Sequence, residues 1–246
     1  MIRLSRTEAP EGLDTTLSTL TAKLKTFPAG ERVKQARALW RSRRTARVGI
    51  KHELSGFAAG RDRCMYCGDN EGTDVDHYQP LALAPLLTFT WLNHLLACST
   101  CNSHHKRDVF PLDAAGRPLL LDPTVDDPFE HLTLSLATGR YWPRSQRGQV
   151  TIDVCGLNRD ILTRGRQTAF QAVTFMLPRW TEYLVAGDET GMKTVVHTIR
   201  EQPFADVVQA MLRYASSPGA AQVFADRVET LDLLRNDILR AGLLTT

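Results

Sequence analysis

Four of the chain's five cysteines fall in two C-x-x-C pairs, Cys64/Cys67 and Cys98/Cys101. A C-x-x-C knuckle offers two sulfurs from one tight turn, and two knuckles complete the tetrahedral shell of a zinc ion at about 2.3 Å per thiolate bond. Four thiolates leave no open position, so the expected ion is structural. Between the pairs lies Asp76-His77, with Asn93 before Cys98 and Asn102 directly after Cys101. Imidazole titrates near neutral pH and suits the task of taking a proton from an attacking water, while carboxylate and amide oxygens suit a hard divalent cation. Alone, an Asp-His pair at a strand end would do no more than hydrogen-bond a turn; the bracketing by cysteines and asparagines points to chemistry. Cys155 stands alone in an apolar segment and is expected to pack as a small hydrophobe.

These residues need a frame. Thr73–His77 reads as one strand and His94–Cys98 as a second, with Asn102 opening a helix, a ββα unit whose ends the metal would clamp. Side chains alternate along a regular strand, so Asp76 and His77 reach one phosphate only where the strand ends or bulges, and Pro80 supplies an ending.

Around this unit the elements are simpler. Leu13, Leu17, Leu20 and Leu24 form one stripe on a helix ended by Pro28 and Gly30. The stretch from Arg32 to Arg63 reads as a second helical segment and concentrates positive charge: Arg32, Lys34, Arg37, Arg41, Arg43, Arg44, Arg47, Lys51, Arg61 and Arg63 against Glu53 and Asp62. Lying next to the cysteine unit, it suits tracking a phosphate backbone, with Trp40 and Ile50 anchoring it. After Lys106, Pro-rich and Asp-Pro steps mark turns. Leu132, Leu134 and Leu136 predict one strand and Val150, Ile152 and Val154 another, with Thr138-Gly139 turning the first toward Tyr141-Trp142. Beyond Gly156 the periodicity predicts helices over 161–184, kinked at Pro178, and over 207–214 and 223–243.

With 43% hydrophobic and 23% charged residues the chain is not broadly disordered, and its formal charge of +3 is too mild to establish a nucleic-acid partner. The first residues lack a secretory apolar core and no later run is long enough to span a bilayer, so a cytoplasmic location without a membrane partner is expected. The organisation expected is a basic helical segment (1–60), a zinc-bound core (61–112), a strand- and turn-rich extension (113–155) and a helical region (156–246).

The order Cys64, Cys67, Asp76, His77, Asn93, Cys98, Cys101, Asn102 resembles the four-cysteine, zinc-bound members of the HNH (ββα-metal) endonuclease family. That resemblance implies an α+β fold in which a zinc-pinned ββα-metal core is flanked by an N-terminal helical segment and a C-terminal helical bundle. It implies His77 as general base, Asn93 orienting its loop, and Asp76 with Asn102 holding a catalytic Mg²⁺ or Mn²⁺. Where family members often have histidine, this chain has Asn102. Phosphate contacts are expected from Lys106, His105, Arg43, Arg44 and Arg47. Further stretches, Phe110–Asp113, Asp122–Leu132 and Gly156–Arg166 (GLNRDILTRGR), are similar to HNH proteins of Septu and retron-associated anti-phage defence, which work beside a separate ATPase. The function expected is a metal-dependent endonuclease hydrolysing DNA phosphodiester bonds as a defence effector; the alternative is a zinc-stabilised nucleic-acid-binding or adaptor module without catalysis.

Overall fold

The computed structural model describes residues 1–58, 60 and 62–244; Arg61, counted above among the basic residues, lies outside them. Helix α1 (Glu11–Lys25) buries Leu17, Leu20 and Leu24, as the leucine spacing predicts. The basic stretch is two helices rather than one, α2 (Arg32–Ser42) and α3 (Arg44–Phe57), because Arg43 leaves helical geometry at φ −95° and ψ 62°. Ile50 and Leu54 of α3 are fully buried.

Strands β1 (Asp74–His77) and β2 (His94–Ala97) pair antiparallel, Asp74 opposite Ala97 and His77 opposite His94. A short π-helical segment, Thr100–Lys106, follows the second knuckle and carries Asn102. A small antiparallel sheet with helices before and after it thus surrounds the clustered cysteines.

A second pair, β3 (Leu132–Leu134) with β4 (Tyr141–Pro143), follows the one-turn helix α4 (Pro128–His131), and the turn between the strands includes Gly139 at φ 64°. The strand expected over Val150, Ile152 and Val154 is instead helix α5 (Gln146–Cys155). Its caps explain the correction: the Ser145 side chain accepts from Gly148 N, and Gly156 closes the helix at φ 57°. The buried positions Gly148, Thr151, Ile152 and Cys155 then repeat with helical period. Three alternating apolar residues were too short a signal against two good caps.

The remainder is helical: α6 (Asp160–Ala186, with Pro178 inside it), α7 (Glu189–Glu201), α8 (Ala205–Ala215), the short α9 (Ala220–Val223), α10 (Val228–Leu234) and α11 (Asp237–Leu244). A buried polar knot ties α6 and α8 to β4: Asp206 Oδ2 accepts from Tyr141 Oη at 2.6 Å and pairs with Arg166 Nε at 3.1 Å. Among the described residues no helix is long and apolar enough to cross a membrane.

Candidate functional site

The four expected zinc ligands come together. Cys64, Cys67, Cys98 and Cys101 are buried, none is in a disulfide, and their sulfurs all lie within 4.8 Å of one another. Tetrahedral zinc–thiolate geometry requires sulfurs roughly 3.8 Å apart, and Cys67 Sγ is 3.9 Å from Cys98 Sγ. The donor set is soft, closed and oxygen-free, which fits a structural zinc. The second knuckle is further shaped by Cys101 N, 3.3 Å from Cys98 Sγ.

Alternation along β1 sends Asp76 and His77 to different surroundings. Asp76 is 3% exposed, accepts from Tyr66 Oη at 2.7 Å, and pairs with Lys106 Nζ at 3.0 Å. Burial raises its carboxyl pKa, and Lys106 and the Tyr66 hydroxyl pull it back toward the ionised form. Lys106 is therefore not a surface phosphate contact: its ammonium is buried and also donates to the backbone oxygen of His77 at 2.7 Å. This corrects the sequence reading. A lysine closing the π-helical segment looks exposed until Asp76 and the His77 carbonyl are seen to hold its ammonium inside. Lys106→Met would leave the Asp76 carboxylate buried without its cation, a change expected to cost about 3–5 kcal/mol in denaturant titrations. The double variant Lys106→Met/Asp76→Asn is expected to recover part of that loss.

His77 lies on the opposite face, toward α2. Its Nε2 is 3.0 Å from the Thr88 carbonyl oxygen, so that nitrogen carries the proton. Nδ1 is left with its lone pair; among the described residues it has no hydrogen-bond partner, and it is not fully buried. Desolvation, which outweighs the Thr88 hydrogen bond that raises it and is aided by nearby Lys106, lowers the ring's pKa to about 4. The Trp40 ring meets His77 edge-on at 4.4 Å and stacks on His94 at 5.5 Å. His94 is fully buried and directs its own Nε2 to the same Thr88 oxygen at 2.9 Å. Asn93 braces the loop that follows His77, its Oδ1 accepting from Gln79 N at 2.8 Å and its Nδ2 donating to Gln79 O at 3.0 Å.

Asn102 lies beside a different carboxylate from the one expected: its Nδ2 is 3.4 Å from Asp74 Oδ2. Asp74 and Asn102 line a groove of about 370 Å³ whose other wall is Trp40, Arg44, Arg47, Val48 and Lys51. Arg44 and Arg47 are where the basic run places them. Lys51 joins them, three and four residues being one helix face, while Arg43 sits at the break between helices and does not line the groove. His105 is exposed, with its ring over Gly156, where an added Cβ would meet Cε1 at 2.4 Å.

No family model matches the chain. An alignment of 135 positions with the Septu protein PtuB of Bacillus mycoides (strain KBAB4) is 36% identical and covers 42% of this chain and 45% of that protein. The chain thus matches less than half the length of its curated relative. Together with the four-cysteine cluster, that similarity supports a distant family link between the two.

Proposed function

We propose that the chain is a metal-dependent endonuclease acting on DNA, an effector of anti-phage defence with an ATPase as its partner, as the resemblance to HNH proteins of Septu and retron-associated defence implies. The reading rests chiefly on one observation: an imidazole with one nitrogen held by a backbone carbonyl and the other without a partner among the described residues, packed against a tryptophan that lines a basic groove. Thr88 fixes the tautomer, so Nδ1 of His77 is the atom that accepts a proton from water. An arriving phosphate raises the ring's pKa from about 4 toward neutrality, because an opposite charge favours the protonated ring. Asn93 holds the following turn and so the ring's approach. Arg44, Arg47 and Lys51 receive the phosphate backbone.

A divalent ion, when bound, would stabilise charge building on the phosphate and its leaving oxygen. Such an ion commonly takes one or two carboxylates and completes its shell with water and phosphate, and the donors at the groove, one carboxylate and one amide, fit that demand. Asn102 supplies the amide. For the carboxylate the resemblance designates Asp76, whereas the distance to Asn102 favours Asp74. Single variants decide between them: with Asp74 as ligand, Asp74→Asn abolishes Mg²⁺- or Mn²⁺-dependent nicking of plasmid at unchanged stability, while Asp76→Asn acts mainly through stability. The reverse pattern returns the role to Asp76. Binding without any divalent-dependent nicking by the wild type would reject the enzyme in favour of a binding or adaptor module.

The groove makes its own prediction. Arg44→Gln, Arg47→Gln and Lys51→Gln are each expected to reduce the salt slope of DNA binding by about 1, independently of sequence. Arg43→Gln is expected to leave it unchanged. Fluorescence anisotropy across a salt series measures both.

A further inference from the structure

Between α5 and α6 runs Gly156-Leu157-Asn158-Arg159, part of the GLNRDILTRGR stretch whose role is so far unexplained. Asn158 grips β4, its Oδ1 accepting from Tyr141 N at 2.7 Å and its Nδ2 donating to Tyr141 O at 2.9 Å. Arg159 lays its guanidinium on the second knuckle: Nη1 is 3.5 Å and Nη2 3.6 Å from Cys101 Sγ, and Nη2 is 3.9 Å from Cys98 Sγ. A guanidinium only donates, and a neutral thiol is a weak acceptor. Two guanidinium nitrogens turned on two cysteine sulfurs therefore suit thiolates. Four thiolates around Zn²⁺ carry a net charge of −2, which is unfavourable in a buried setting unless a cation compensates it.

The first knuckle is gripped from the same part of the chain. Gly68, at φ 81°, accepts from Phe204 N at 2.7 Å, and a Cβ on Gly68 would lie 3.2 Å from Asp206 Oδ1. Phe204 itself holds a left-handed backbone, φ 63°, at the start of α8. For a residue with a bulky side chain this conformation persists only where its surroundings enforce it. Each knuckle thus carries one contact from the helical region, Arg159 at the start of α6 and Phe204 at the start of α8.

We infer that Arg159 is the counter-charge of a tetrathiolate zinc centre, and that through Arg159 and Phe204 the metal governs how α6 and α8 dock on the β1–β2 unit. The inference stands apart from the nuclease reading, since it concerns only the cysteine cluster and its neighbours. A plainer role for Arg159 also exists, because Nη1 donates to the Cys155 and Gly156 carbonyls at 3.2 Å each and so caps α5. A cap alone would affect stability without touching the metal.

The test uses the full zinc-loaded chain, titrated with a competing chelator, with amide exchange followed over 157–165 and 204–210 before and after metal removal. Removing an outer-shell partner typically lowers metal affinity about 10–100-fold, and Arg159→Gln is expected to fall in that range. Arg159→Lys, which keeps the charge but loses the planar fork, is expected to fall between. Arg164→Gln, on an exposed arginine of α6, is the control and leaves zinc affinity unchanged. In the wild type, chelation raises exchange in both segments. Wild-type zinc affinity in Arg159→Gln, unaltered protection of both segments after chelation, or a cluster that takes up no zinc would each overturn the inference. Should Arg159→Gln fail to fold, Arg159→Lys decides it, an affinity equal to wild type counting against the proposal.

Discussion

Replacing His77 with alanine is expected to lower plasmid nicking by a factor of about 10²–10⁴, the usual contribution of a positioned general base, while zinc content and thermal stability stay close to wild type. The expectation follows from the ring's hydrogen bond to Thr88, which leaves one nitrogen without a partner among the described residues. Its pH dependence has a definite sign. With a folded pKa of about 4 the free enzyme's ring is neutral from pH 6 upward, so kcat/KM shows no limb near the ordinary histidine value and declines only as pH falls toward 4. Stability runs in the same direction: the unfolded ring titrates near 6.5, so between that value and about 4 the unfolded chain binds more protons and acid favours it. Undiminished nicking by His77→Ala would end the catalytic assignment, and a limb at the ordinary value would contradict the buried neutral ring.

The second large effect is expected at the cysteine cluster. Structural zinc in small domains contributes about 10–16 kcal/mol, as much as the roughly 5–15 kcal/mol by which whole domains are stable. Cys67→Ser or Cys98→Ser, or exhaustive chelation of the wild type, should therefore unfold the β1–β2 unit and abolish nicking together. Elemental analysis is expected to give one zinc per chain, and circular dichroism with amide exchange to show the unit's loss. A metal-free chain with native protection in β1 and β2 would refute the structural role of the metal.

Much of this was legible in the residues because spacing over a short range is a reliable signal. The C-x-x-C pairs, the two strands between them and the leucine stripe of α1 each depend on neighbours within a turn or a pleat. What escaped depends on contacts across the chain. Asp76 meets Lys106 and Tyr66 only once the knuckles have folded, so nothing in the Asp-His pair announces a buried ion pair. Asp74 stood two residues away on the same strand face as Asp76, a placement the period-two rule supplies, yet its nearness to Asn102 needed the π-helical segment in place. Lys51 was visible in the basic run but not separable from its neighbours until α2 and α3 divided at Arg43. Helix α7 falls outside the stretches predicted above although Met192, Val195, Val196 and Ile199 repeat at helical spacing, so its signal was present in the sequence. His94 shows the opposite difficulty, since its partner Thr88 is close in sequence but its importance lies in the shared carbonyl and the stack under Trp40.

Trp40 touches both imidazoles and also walls the groove. Charged imidazolium draws electrons from an excited indole more readily than the neutral ring does, and a polyanion lying along the groove changes the indole's surroundings directly. The side chain is thereby an intrinsic fluorophore placed where protonation and ligand arrival are both felt. With the chain's other tryptophans, Trp91, Trp142 and Trp180, replaced by phenylalanine, its emission would time each event on the unlabelled protein.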